Sequence, residues 1–293
     1  MTILNDTYES KTEYRRQIRL QLKRNKQHLE SLDYKGTRVK NEFQLDCSFY
    51  PKPNPNCKIM YFDVDNTLYS KSTGIEKAML QLIYNYLIVE LDLSYKQAIE
   101  LVHVYNEKYG MVLSGLIKNF NINIKQFNEM CDDALPLQHF IEGPDLKLRK
   151  MLIDLKQTTK IDKFWIFTNS YKNHALRCIK ILGIADLFDG ITYCDYFAND
   201  FMCKPSPAFF DKLRLESGLA DWNNALFIDD NINNIEAASY IGMKVCFHIA
   251  EKDKFDHSRN EDDTKKLERS SKYGKIIPIN DILELPLFAS DAC

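Results

Sequence analysis

The chain has 293 residues, 45% hydrophobic and 12% aromatic, with a formal net charge of -2. This suits a folded protein of one to two domains and excludes a disorder-dominated chain. The near-neutral balance argues against a nucleic acid polymer as main partner, since phosphate-backbone binders carry a clear basic surplus.

Residues 1–57 read as a basic N-terminal arm and linker. Between Lys11 and Lys40 ten Lys/Arg stand against three acids, with a narrow helical stripe through Ile18, Leu22 and Leu29. The expectation is a solvated helix or mobile tail whose partner the sequence does not name. Pro51, Pro53 and Pro55 mark a stiff linker, which puts a domain boundary near Asn56. No apolar signal core opens the chain, and no run approaches the roughly 18 apolar residues of a membrane span. A soluble cytoplasmic or nuclear protein with no membrane span is therefore expected. Eight cysteines without a C-x-x-C pair indicate neither a zinc site nor a disulfide framework, so they read as reduced, mostly buried thiols.

The stretch Lys58 to Leu68, KIMYFDVDNTL, reads as a buried strand over Ile59 to Phe62 that delivers Asp63 and Asp65 into the loop at its end. Two acids at one strand end suggest a cation held between them or a proton held by one of them. Taken alone, Asp-Val-Asp-Asn reads equally well as a surface turn or a helix cap. Some seventy residues of helical periodicity follow: Ile75 to Glu90, a helix N-capped by Ser94, Met111 to Lys118, and Ile124 to Cys131 up to Pro136. A helical block placed directly after the first strand of an α/β pattern has the look of an inserted lid, which gives a cap over 71–142 and a core over 58–70 and 143–293.

From Gly143 strands and helices alternate. Strands at Phe164 to Phe167, Ile191 to Cys194, Ala225 to Ile228 and Lys244 to His248 are separated by helices over Asn173 to Leu182, Pro207 to Ser217 and Ile232 to Tyr240. Repeated β-loop-α units predict an α/β fold with a doubly wound parallel sheet, whose ligand-binding groups gather at the carboxyl ends of the strands. Three strands end in polar residues on that rim: Asp63 and Asp65, Thr168 and Asn169, Asp229 and Asp230. Independent caps become the less economical explanation. Hard oxygen ligands of this kind suit Mg²⁺. His174, at a helix start, is expected to be a surface or cap residue.

Asp63-Val64-Asp65-Asn66-Thr67, Thr168-Asn169, Lys204-Pro205 and Asp229-Asp230 stand in the order and approximate spacing of the four motifs of the haloacid dehalogenase-like hydrolase superfamily, which residues 58 to 293 resemble. Within it the chain is most similar to fungal pyrimidine 5'-nucleotidases, through Asp65-Asn66-Thr67-Leu68-Tyr69, Lys71-Ser72-Thr73-Gly74, Thr192-Tyr193-Cys194-Asp195-Tyr196 and Asp281-Ile282-Leu283-Glu284-Leu285-Pro286. The resemblance implies Asp63 as nucleophile, forming an aspartyl-phosphate, and Asp65 as general acid and base, with its carboxyl raised by burial or by its neighbour. It implies Mg²⁺ on Asp63, the Asp65 carbonyl, Asp230 and Asp229. Phosphate contacts fall to Thr168, Asn169 and Lys204. The run Asp229-Asp230-Asn231-Ile232-Asn233-Asn234 departs from the family's Asp-Asp-Ser-Gly-Lys-Asn, which leaves Asn234 less securely a supporting residue.

The function implied is a Mg²⁺-dependent phosphomonoesterase acting on a small molecule, UMP or CMP. Sugar phosphates, lysophosphatidate and a phosphomutase reaction are alternatives on the same motifs, and a non-catalytic scaffold is the alternative of another class. Tyr84, Tyr86, Tyr105, Tyr109 and Phe120 are candidates to stack on a base, although their helical spacing makes most of them core.

Overall fold

The computed structural model describes residues 8–40, 50–250 and 274–292. Six strands form one sheet: β1 (Ile59–Phe62), β2 (Lys163–Thr168), β3 (Gly190–Tyr193), β4 (Ala225–Asp229), β5 (Val245–Ile249) and β6 (Lys275–Ile279). Their order is β3-β2-β1-β4-β5-β6, and every pairing is parallel. Continuous apolar runs suit this role, because a parallel sheet is covered on both faces. All four residues of β1 are buried. In register, Phe62 faces Ile166 of β2 and Ile228 of β4. The chain runs outward from β1 to β2 and β3, then returns to the other side of β1 for β4. That reversal opens a crevice at the carboxyl ends of the three central strands.

The helices are α1 (Tyr8–Ser31), α2 (Ile75–Leu91), α3 (Tyr95–Tyr109), α4 (Val112–Asn119), α5 (Ile124–Asn128), α6 (Leu146–Thr158), α7 (Lys172–Ile181), α8 (Pro207–Ser217), α9 (Ile232–Tyr240) and α10 (Pro286–Ala292). Between β1 and α6 the regular structure is entirely helical. Local chemistry sets these bounds. Ser94 and Gln97 close a reciprocal capping box at the start of α3, and the Asp145 carboxylate accepts from Lys147 N and Leu148 N to start α6.

Three features differ from the sequence expectation. The helix expected to reach Cys131 gives way after Asn128 to a π turn over Glu129–Asp133. The sixth strand was not expected: β6 is an edge strand with alternating burial and a proline at 278, so it lacks the apolar run that marks its neighbours. The third difference is the arm. Tyr14 and Ile18 of α1 are buried in the core, and Arg15 Nε donates to Glu90 Oε1 at 2.8 Å. Asn25, also buried, donates to the carbonyls of Asp133 (2.7 Å) and Leu135 (3.1 Å). Beyond α1, Gly36 (φ 95°) lies so close to Gly183 that a Cβ would sit 1.8 Å from its carbonyl oxygen, and Ala185 N donates to Gly36 O at 2.8 Å. Residues 8–40 of the arm are therefore packed onto both the helical segment and the core. Arg16, Arg19, Lys23, Arg24 and Lys26 face outward.

Cys57, Cys131, Cys178, Cys194, Cys203 and Cys246 are free and buried, as expected, while Cys47 and Cys293 lie outside the described residues. Among the described residues no helix is long and apolar enough to cross a membrane.

Candidate active site

β1 ends at Phe62, and Asp63 N still donates to Ile228 O of β4 at 2.9 Å. The first acid is thus fixed by the sheet itself. Lys204, in the loop before α8, reaches back into the crevice and is almost wholly buried. Its Nζ donates to Asp63 Oδ1 (2.7 Å), Asp229 Oδ2 (2.6 Å) and Phe167 O (2.8 Å). Asn169, just past β2, clamps the lysine's backbone: Lys204 N donates to its Oδ1 at 2.7 Å and its Nδ2 donates to Lys204 O at 3.1 Å. Thr168 is buried, with Oγ1 accepting from Ser170 N at 3.0 Å.

Carboxylate oxygens of Asp63, Asp229 and Asp230 lie within 4.8 Å of one another. One lysine cannot neutralise three acids. Burial raises Asp63 well above the carboxylate range; Lys204 opposes this and Asp229 and Asp230 add to it. Burial and then Asp229 push Asp230 up to about 7. Asn234 Nδ2 donates to both oxygens of Asp229 (3.0 and 3.1 Å), and Asn231 N donates to Oδ1 at 2.8 Å, so Asn234 supports the trio despite the altered sequence before it. A cluster of hard oxygen donors with excess negative charge fits a divalent cation such as Mg²⁺.

Asp65 points elsewhere. It accepts hydrogen bonds from the hydroxyls of Tyr69 and Ser170, and His174 Nε2 lies 2.6 Å from its Oδ1. Burial alone would raise this carboxyl, but the His174 charge and these donors hold it below the usual carboxylate range. His174 is correspondingly held well above the ordinary histidine value, against the effect of burial. Two expectations are corrected here. Asp65 is not raised by a neighbouring acid, because its nearest charged neighbour is a cation. His174 is no surface residue: it is 0% exposed, since α7 packs its first turns beneath the Asp65 loop. Tyr69 stands four residues after Asp65 and Ser170 two after Thr168, and that proximity was the only signal in the sequence for either.

Beside this rim lies a cavity of about 250 Å³. Asp65, Asn66, Tyr69, Asn169 and Ser170 line it from the rim, and Met79, Ile83, Met111, Leu113, Phe127 and Asp132 from the helical segment. None of the five aromatics expected to stack on a base lines it. Tyr86 and Tyr105 are buried, with the Tyr86 ring 5.0 Å from that of Phe127, and the aromatic lining comes from Tyr69, Phe127 and Tyr196.

Fold and rim together define an α/β protein with an aspartate at the central strand end, a buried lysine beside it and three clustered carboxylates that could hold a divalent cation. Residues 57–242 match the family model described as haloacid dehalogenase-like hydrolase, and the chain belongs to that family. It is 44% identical over 98% of its length to Phosphate metabolism protein 8 of Saccharomyces cerevisiae, covering 88% of that protein. Among solved structures, a HAD phosphatase from Thermococcus onnurineus superposes with a TM-score of 0.50 at 19% identity, covering 79% of this chain and 97% of that one. A beta-phosphoglucomutase from Clostridium difficile gives 0.49 at 19%, covering 80% and 96%.

Proposed function

We propose that this hydrolase is a Mg²⁺-dependent phosphomonoesterase of nucleoside 5'-monophosphates, UMP and CMP first. The observation that carries the chemistry is the trio Asp63, Asp229 and Asp230, with the buried Lys204 bonded to the first two and the cavity beside it. Asp63 attacks phosphorus in line; the ester P–O bond breaks and an aspartyl-phosphate forms. Lys204 holds the Asp63 carboxylate in place and neutralises charge it shares with the phosphate. Asp65 relays the proton of the adjacent His174 to the departing alkoxide and later takes one from the water that cleaves the acyl phosphate, which restores the histidine's charge. Thr168 and the Asn169 backbone donate to phosphate oxygens. Asp63, Asp229, Asp230 and the Asp65 carbonyl would hold Mg²⁺, which when bound offsets the repulsion between an anionic nucleophile and a dianionic ester. The helical segment over 71–142 serves as the cap that meets the leaving group and excludes water.

Phosphate release measured across UMP, CMP, AMP, GMP, sugar phosphates and lysophosphatidate, with Mg²⁺ and with EDTA, tests this reading. Nucleotides are expected to lead, with turnover lost in EDTA. A sugar phosphate or lysophosphatidate in first place rejects the substrate while leaving the chemistry standing.

A further inference from the structure

The cavity's apolar walls leave one of its groups unexplained. Asp132, in the π turn, lines the cavity at 5% exposure, and its Oδ2 has no hydrogen-bond partner. A buried acceptor without a donor costs about 1–3 kcal/mol. The turn does not escape that cost by rearranging, because it is pinned on two sides. Arg177 of α7 donates to the carbonyls of Asp132 (3.2 Å) and Asp133 (3.1 Å), and Asn25 of α1 donates to Asp133 O at 2.7 Å. The Tyr196 hydroxyl, also on the cavity, hydrogen-bonds the same carboxyl. π turns inserted in helices recur where a side chain must be aimed at a ligand.

We infer that Asp132 is a specificity-determining acceptor for an N–H donor on the leaving group, and that the cavity takes a nucleobase edge-on to Asp132 with its faces against the apolar walls. The inference rests on the nucleoside monophosphate reading and narrows it. An acyl chain would suit Met79, Ile83 and Met111 but would leave Asp132 Oδ2 without a donor. A sugar would bring several hydroxyls to walls that satisfy few of them. A base supplies both a planar apolar body and a donor edge: the ring N–H of uracil, the amino groups of cytosine and adenine. Burial raises the Asp132 carboxyl to about 6, with His174 and Tyr196 opposing, so at neutral pH the empty cavity presents mainly the ionised acceptor.

The test removes the donor from the ligand and the acceptor from the protein. For the full-length enzyme with Mg²⁺, kcat/KM is measured on UMP and CMP against the 5'-monophosphate of 2-pyrimidinone riboside, which keeps the ring without either donor. AMP is compared in the same way with purine riboside 5'-monophosphate. The parent nucleotide that turns over fastest is expected to exceed its analogue by roughly 10- to 100-fold. In Asp132→Leu, which keeps the branched shape without oxygens, parent and analogue are expected to become equal within about twofold. Should that variant not fold, Asp132→Asn, losing only the charge, is expected to shrink the ratio to a few-fold. Equal turnover of parent and analogue by the wild-type enzyme overturns the inference, as does a ratio undiminished in either variant. Phosphate released from a sugar phosphate or lysophosphatidate but from no nucleotide fails the nucleotide reading instead.

Discussion

Lys204 holds one positive charge against three carboxylates, so removing any one acid relieves crowding as well as function. Asp63→Asn is expected to cut Mg²⁺-dependent phosphate release by at least about a thousandfold, since an amide cannot form the acyl phosphate. The same variant should melt no lower than wild type without metal, because a charge that burial disfavours is gone. A wild-type rate in Asp63→Asn would remove Asp63 as the nucleophile. His174→Gln makes the opposite case: it strips the cation from Asp65 and leaves two hydroxyl donors behind. With the Asp65 side chain 33% exposed, part of the lost pairing is screened, and a loss of about 2 kcal/mol in denaturant unfolding is expected. The acids were legible because each sits at or just past a strand end, where the sheet fixes its position, whereas Lys204, in the loop between β3 and α8, was legible only through the family resemblance. His174 was not. Its role depends on how α7 packs against a loop more than a hundred residues away, and a histidine at a helix start carries no mark of that.

The elements follow the same division between local and distant causes. Strands β1, β2 and β4 and helices α8 and α9 announce themselves by apolar runs and caps, and the structure reproduces them within a residue or so. The π turn and the docking of α1 do not, because both are settled by tertiary contacts. In α1 the buried set is Tyr14, Ile18 and Asn25; a polar residue at the third position hides the stripe, so a packed helix reads as a solvated one. Asn25 is the joint: Gln138 Nε2 donates to its Oδ1 at 2.9 Å while its amide satisfies Asp133 and Leu135. Asn25→Leu should therefore cost about 1–3 kcal/mol, because Gln138 Nε2 loses its acceptor and the carbonyls of Asp133 and Leu135 are left to Arg177 alone. It should also raise KM more than it lowers kcat, since the turn it supports faces the cavity and not the reacting phosphorus. Deleting residues 1–40 is expected to lower the melting temperature and kcat/KM together; unchanged kinetics on the leading substrate would reduce α1 to packing without a part in the site.

Across the whole molecule, the rim couples folding, pH and metal. Asp230 is raised to about 7 and Asp63 is raised too, both mainly by burial, against an unfolded carboxyl near 3.9. The folded state therefore binds these protons more tightly than the unfolded chain. The stability they lend is full below the unfolded value and is lost as pH climbs through the folded one. Asp65 has the reverse sign: held low, it contributes above the unfolded carboxyl value, and that contribution is lost only in stronger acid. Between about pH 5 and about pH 8 Asp63 and Asp230, together with Asp132, thus set the carboxylate slope, and EDTA-treated protein should melt progressively lower as pH rises. Under the proposed reading Mg²⁺ would be held by the Asp63, Asp229 and Asp230 carboxylates once ionised, so its protection should grow over the same window, reaching about 2.7 kcal/mol at a hundredfold excess over Kd. Thermal melts at several pH values, with EDTA and with Mg²⁺, read this directly. The gap between the two curves should widen with pH in wild type and narrow sharply in Asp63→Asn, which lacks one of the three acids. A gap that is constant with pH would separate Mg²⁺ from these carboxylates, and a widening gap that survives Asp63→Asn would move the cation to other ligands.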